Sequence, residues 1–274
     1  MNYIELNIPC SGEMAEILTA ELAEFPFDSF STDPDTLKAY IPHERLADCH
    51  AEVEQMLERY GISGQRYIAI ETQNWNALWE SNFPPVEVDG TVAIRAPFHA
   101  PYPDYRFDIV ITPKMSFGTG HHATTFLMSR ATAARDFSGK RVLDMGSGTG
   151  VLAIIAAKCG AASVDAVDID DWAYENCIEN CKENGVADCV TAILGDVRAI
   201  LGKQYDTILA NINRNILLGD MPAYYNTLTE GGELIMSGIL ESDIETIRTR
   251  AEQLGMAYVG CDLKDGWASV VVKK

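Results

Sequence analysis

The chain has 274 residues, 47% hydrophobic and 9% aromatic, enough to bury one large core or a large core with a small companion. A formal charge of −19 makes the surface repel phosphate backbones, so no direct nucleic-acid partner is expected; the same charge either steers a cationic protein substrate or serves solubility. No run approaches the roughly 18 to 20 apolar residues of a membrane span, and seven cysteines without an even framework suit reduced thiols, so the expectation is a cytoplasmic chain with no membrane partner.

The first seventy residues read as βαββαβ. Tyr3 to Ile8 alternates apolar and polar like a strand, and Ser11 stands as an N-cap before Met14, Ile17, Leu18 and Leu22 at helical spacing. A polar stretch rich in turn residues (Asp28, Ser29, Ser31, Asp33, Pro34, Asp35) follows, with short strands expected around Phe27 to Phe30 and Leu37 to Ile41. A second helix carries Leu46, Cys49, Val53, Met56, Leu57 and Tyr60 on one face, and Tyr67 to Ile70 is a last strand. This split-βαβ order predicts a small α+β domain of the ferredoxin-like kind over residues 1–70.

Residues 71–85 are polar but carry Trp75, Trp79 and Phe83 before Pro84 and Pro85, which reads as a connecting helix ended by the prolines. A larger domain is expected over residues 86–274, entered through strand-like runs at Val86 to Val88, Thr91 to Arg95 and Phe107 to Ile111. From Arg141 onward strands alternate with helices: Arg141 to Met145, Ser163 to Asp168, Cys189 to Ile193, Tyr205 to Asn211 and Gly232 to Ser237 are strand candidates in a mainly parallel sheet. Val151 to Ala157 is apolar all round, as a helix buried against a sheet requires. Only Lys264, Asp265 and Gly266 separate the last two strands, Ala257 to Leu263 and Trp267 to Val272, so these form an antiparallel hairpin. An α/β Rossmann-like methyltransferase domain has this terminal hairpin; an ordinary dinucleotide dehydrogenase does not.

The chemistry concentrates at Asp144-Met145-Gly146-Ser147-Gly148-Thr149-Gly150, where a strand turns into a helix. Glycine lets the backbone turn sharply and a ligand approach where a Cβ would block it. Asp168, at the end of the next strand, is placed to accept hydrogen bonds from both hydroxyls of a ribose. The pocket is therefore one for an adenosine-containing ligand. Counting from Gly146, Val151 occupies the last glycine position of the dinucleotide fingerprint, so the pyrophosphate version is not met. Asp144 adds a carboxylate that suits an ammonium and repels a pyrophosphate, which points to S-adenosylmethionine.

Phe117-Gly118-Thr119-Gly120-His121-His122-Ala123-Thr124-Thr125, the Asp144 to Gly150 turn, Val167-Asp168-Ile169-Asp170, Leu209-Ala210-Asn211-Ile212 and Ser237-Gly238-Ile239-Leu240 resemble, in order and spacing, the bacterial ribosomal protein L11 methyltransferases. The likeness extends to the N-terminal α+β segment and the Trp75, Trp79 linker. By that resemblance Thr125, Gly146, Asp168 and Asn211 match cofactor-contacting positions, Phe117, Gly118 and Gly148 stand in the cofactor-binding segments, and Asn211 is the catalytic candidate, beside the transferred methyl where an amide oxygen can orient an amine. The implied function is methyl transfer to the N-terminal amine or lysines of a large-subunit ribosomal protein, with residues 1–70 recognising it. Asn213 and Arg214 depart from the small or apolar residues common there. The alternatives are methylation of another protein or a small amine, and, from other classes, a non-catalytic S-adenosylmethionine-binding module or a nicotinamide enzyme.

Several residues carry two readings. Asp196 either faces an adenine or is a solvated loop acid. The adjacent His121 and His122 have no carboxylate or thiol at ligand spacing, so no metal is expected; His122 as a proton acceptor stays open. Tyr174, Cys177, Ile178 and Cys181 follow the spacing of a core-facing stripe, favouring packing over zinc for Cys177, Cys181 and Cys189. His50 reads as a packed histidine.

Overall fold

The computed structural model describes residues 3–70, 83–114 and 116–274. The chain divides into two compact units, Met1–Asn82 and Phe83–Lys274. The connecting helix expected around Trp75 and Trp79 lies outside the described residues. Among the described residues no helix is long and apolar enough to cross a membrane.

The first unit runs β1 (Tyr3–Pro9), α1 (Gly12–Leu22), β2 (Ser29–Asp33), β3 (Thr36–Pro42), α2 (His43–Arg59) and β4 (Arg66–Ile70). Its sheet has the order β2-β3-β1-β4 with every pair antiparallel. Alternation along β1 and β3 buries Ile4, Leu6, Ile8, Leu37, Ala39 and Ile41, which share a core with Leu18 and Leu22 of α1 and Val53, Met56 and Leu57 of α2. Ile17 is not part of it: it is 46% exposed, because at 100° per residue it stands more than a right angle from the face centred on Leu18 and Leu22. The strand expected near Phe27 to Phe30 starts two residues later and continues through Ser31 and Asp33. As an edge strand bonded only to β3 it tolerates polar residues on both faces.

The second unit opens with a small sheet of β5 (Val86–Val88), β6 (Val92–Arg95) and β7 (Phe107–Val110), antiparallel between β5 and β6 and parallel between β6 and β7. Next come α3 (Ala123–Ala133), β8 (Arg141–Met145), α4 (Val151–Lys158), β9 (Ser163–Asp168), α5 (Asp171–Glu183) and β10 (Val190–Leu194). The chain ends with β11 (Tyr205–Asn211), α6 (Arg214–Thr227), β12 (Leu228–Leu240), α7 (Ile244–Gln253), β13 (Ala257–Lys264) and β14 (Trp267–Lys273). The large sheet has the order β10-β9-β8-β11-β12-β14-β13. Neighbours are parallel from β10 to β12, and β14 runs antiparallel to both β12 and β13. The hairpin turn places Asp265 at φ 51° and Gly266 at φ 79°, the pair of left-handed residues that a two-residue turn between twisted strands demands.

Residues Val151 to Ala156 of α4 are buried on every side. They share a core with Ile94 and Ile109 of the small sheet and with Leu209 and Ile235 of the large one, so the helix is enclosed by apolar side chains from both. β12 is longer than its sequence signal because Leu228 to Gly232 extend it before the apolar run begins.

Candidate functional site

The strand order reverses between β8 and β11: β8 continues to β9 on one side while β11 continues to β12 on the other. In an open parallel sheet the crevice at such a switch point, beyond the carboxyl ends of the strands, is where ligands bind. A cleft of about 490 Å³ lies there, lined by Phe117, Gly146, Gly148, Asp168 and Asn211 among others.

The glycine turn is built for close approach. Gly146 has φ 72° and a Cβ there would lie 2.2 Å from Ile212 Cγ2; Gly148 has φ 53° and a Cβ would lie 2.2 Å from the Phe117 carbonyl oxygen. The turn is strapped down by the 117–118 segment, since the Thr149 N–H donates to Phe117 O (2.9 Å) and Thr149 Oγ1 to Gly118 O (2.8 Å). Gly238, at φ 85° within β12 where its pairing with β14 shifts register, lets that strand back onto Ile212, whose carbonyl oxygen would be 2.2 Å from an added Cβ. Segments far apart in the chain thus meet through glycines.

Asp168 closes the turn from β9. Its Oδ2 accepts from the Gly148 N–H (2.8 Å) and its Oδ1 from the Asp170 N–H (3.1 Å). Each carboxylate oxygen keeps further acceptor capacity for hydroxyls. Asn211, half-buried at the end of β11, reaches the cleft with Oδ1 buried and unpartnered.

Asp144 does not line the cleft. It is fully buried, with Oδ2 accepting from the Ala153 N–H in the first turn of α4 (3.0 Å) and Oδ1 without a partner. Burial pushes its carboxyl up to about 7, against the lowering effect of the Ala153 bond, and the Asp168 charge adds to the rise. The carboxylate expected at an ammonium is instead turned under α4, where a helix N-terminus favours negative charge. Thr125 is likewise buried, in the first turn of α3, and Gly118 holds the strap rather than the cleft wall.

Asp196 lines the cleft, but both of its oxygens bond Arg198 Nε (2.9 Å each). These bonds, first, hold its carboxyl below the usual carboxylate range. His122 caps α3: its Nδ1 accepts from the Thr124 N–H (3.3 Å). The same nitrogen lies 2.8 Å from Thr124 Oγ1, so it serves the start of the helix. The ring stands edge-on to Phe117 and Trp267, 5.4 and 4.7 Å between centroids. His121 Nε2 pairs with Pro84 O (2.9 Å), and its ring centroid lies 4.5 Å from that of Phe83. Cys177 and Cys181 are buried with sulfurs 3.9 Å apart, and their mutual contact and burial raise the Cys177 thiol. His50 is exposed against the Tyr67 ring (4.9 Å).

The departures after Asn211 are structural. Asn213 caps α6 by accepting from the Ile216 N–H (3.1 Å), and Arg214 pairs with Asp243 (2.7 Å), whose Oδ2 also accepts from the Leu240 N–H (3.2 Å). They tie the turn after β11 to the one after β12. Ser116, Ile216 and Asp220 also line the cleft, although no sequence motif marks them as site residues, and so does Asp170, which stands in the Val167–Asp170 motif without an assigned role. The available signal is spacing: Ile216 and Asp220 stand four apart on the helix that follows Asn211.

Among the described residues the cleft lining holds four carboxylates, Asp168, Asp170, Asp196 and Asp220, and no lysine or arginine. This donor-poor, acceptor-rich wall suits hydroxyls, amines and positive charge, and it opposes a pyrophosphate.

Comparison with known proteins agrees. The family described as Ribosomal protein L11 methyltransferase (PrmA) matches residues 20–274. A ribosomal protein L11 methyltransferase of Porphyromonas gingivalis is 42% identical over 261 residues, covering 93% of this chain and 89% of its own. One from Phocaeicola vulgatus is 39% identical over 279 residues, 98% of each chain. The crystal structure of a ribosomal protein L11 methylase from Lactobacillus delbrueckii subsp. bulgaricus superposes with a TM-score of 0.62 at 27% identity, covering 69% of this chain and 97% of that one. A glycine turn strapped by residues 117 and 118, an acid closing it from the next strand and a match over nearly the whole length lead to one conclusion: the chain belongs to the ribosomal protein L11 methyltransferase family.

Proposed function

We propose that this protein transfers methyl groups from S-adenosylmethionine to the N-terminal amine and lysine side chains of ribosomal protein L11, a large-subunit protein. The observation that carries the reading is the cleft at the switch point, walled by carboxylates and glycines with the free Asn211 Oδ1 at its edge. In this reading Asp168 holds the ribose hydroxyls, Gly146 and Gly148 admit the ligand against the backbone, and Phe117 with the strap covers it. Thr125 and Asp144 act from behind this surface, Asp144 through its hold on the first turn of α4. The bound cofactor supplies an electrophilic methyl group on a sulfonium.

The chain's own task is to deliver a neutral amine in line with that methyl. A lysine with pKa about 10.4 costs roughly 4 to 5 kcal/mol to deprotonate at pH 7, an α-amine near 8 only about 1. The acidic wall attracts the ammonium form, so desolvation at the cleft mouth must do the opposing work of releasing the proton. Asn211 Oδ1 accepts one N–H of the amine and orients its lone pair; alignment supplies much of the remaining acceleration. No dedicated base is required.

Residues 1–70 are the recognition domain in this proposal, with residues 71–85 as linker and 86–274 as the transferase. The βαββαβ order and the β2-β3-β1-β4 sheet support a ferredoxin-like assignment for the first. The charge of −19 supports a basic protein partner and no direct nucleic-acid contact, and the seven free cysteines support a cytoplasmic setting.

Two measurements test this. S-adenosylmethionine at a hundred times its Kd stabilises the protein by about 2.7 kcal/mol, and NAD does not. Comparable thermal shifts from both would remove the cofactor assignment. Incubation with labelled S-adenosylmethionine and ribosomal protein L11 labels that protein. A chain lacking residues 1–70 keeps its cofactor Kd but loses roughly a hundredfold or more in transfer, because remote contacts hold the amine in place. Full activity of the shortened chain would refute the division of labour, and cofactor binding with no transfer to any amine would leave a binding module instead.

A further inference from the structure

Beside its two cysteines, α5 with its C-cap carries three asparagines spaced by four: Asn176, Asn180 and, at the cap, Asn184. They form a ladder along the segment that leaves β7. Asn184 Oδ1 accepts from the Val110 N–H (2.9 Å) and its Nδ2 donates to Val110 O (2.7 Å), satisfying both backbone groups of that residue as a neighbouring strand would. Two residues on, Asn180 Oδ1 accepts from the Thr112 N–H (3.0 Å). The match has a geometric cause. Four helical residues rise about 6 Å and two extended residues about 6.6 Å, so side chains at every fourth helix position meet every second strand residue.

Towards the cleft the ladder changes partners. Asn180 Nδ2 donates to Thr149 O in the glycine turn (2.9 Å) and to Asn176 Oδ1 (2.8 Å); Asn176 Nδ2 donates to Ser116 Oγ (2.5 Å). Thr149 in turn donates to Phe117 O (2.9 Å). The circuit from Asn176 through Asn180, Thr149 and Phe117 back to Ser116 is therefore closed. Asn176 and Asn180 are fully buried, where such bonds are not weakened by water. Ser116 and Phe117 line the cleft.

We propose that Asn176 and Asn180 are positioning residues that hold the Ser116–Phe117 wall against the glycine turn and so set the affinity of the cleft for its ligand, whereas Asn184 only anchors the strand. The inference rests on the cofactor reading above. Its test uses the full chain, with calorimetric Kd for S-adenosylhomocysteine, thermal midpoints and amide exchange at Thr149.

Asn176→Ala, Asn180→Ala and Asn184→Ala all lower the midpoint. The first two raise Kd about tenfold and speed Thr149 exchange, while Asn184→Ala stays within about twofold of the parent. Equal Kd changes in Asn176→Ala and Asn184→Ala, or none in either, would overturn the proposal. Should Asn180→Ala not fold, Asn176→Ala decides, because it leaves the bonds of Asn180 to the Thr112 N–H and to Thr149 O intact and removes, besides the Ser116 and Asn180 contacts, only a long one to Thr112 O (3.5 Å). If the parent binds no S-adenosylhomocysteine, the cofactor reading fails, and the exchange comparison at Thr149 still decides the positioning role.

Discussion

Asp168→Ala weakens S-adenosylmethionine binding by about 2 to 4 kcal/mol, a Kd increase on the order of 30- to 1000-fold. Part of that loss is direct, through the ribose hydroxyls. Part is indirect, since the Gly148 and Asp170 N–H groups lose their acceptors and the glycine turn loosens. Asp168 is only half-buried and sits at a strand end, so the fold survives the change. Calorimetric titration together with the thermal midpoint of the free protein separates the two. An unchanged Kd would show that the carboxylate serves the turn alone and that the ribose is held elsewhere.

The second large effect is the pH dependence that Asp144 imposes on stability. Its carboxyl, raised to about 7 in the folded chain, has a pKa near 3.9 when unfolded. The folded state therefore binds the proton more tightly, and stability from this group is greatest below about pH 4. It declines as pH rises from there to about 7, by at most about 4 kcal/mol, and is flat above. Asp144→Asn keeps an oxygen for the Ala153 N–H but cannot ionise. Denaturant midpoints at pH 5 and pH 8 should show the parent losing stability relative to the variant across that interval. Parallel behaviour of the two proteins would mean that Asp144 is not ionising in the buried site.

Local backbone requirements make much of the site legible in the amino-acid sequence. Gly146 and Gly148 stand where φ is positive, Asp168 and Asn211 where strands end, and such demands are met by residues close in sequence. The hairpin of β13 and β14 is equally legible, because Asp265-Gly266 leaves only one tight way to turn. The stripe of Cys177 and Cys181 is visible as helical spacing, yet the asparagines beside it are not, since a polar residue on a helix reads as solvated until its partner is known.

What the sequence by itself determined, then, is the alternation of strands and helices, the glycine turn and the acid that closes it, all consequences of conformational preference within a few residues. Only the tertiary structure decided which residues far apart in the chain the polar side chains bond. Asn184 meets Val110 across 74 positions, Asn180 meets Thr149 across 31 and Arg214 meets Asp243 across 29. It also decided that Asp144 is buried under α4 rather than open to a ligand. The physical reason is that packing, not neighbours in the chain, chooses the partner, and where the group is fully buried, as Asn180 and Asp144 are, it takes its properties from that partner.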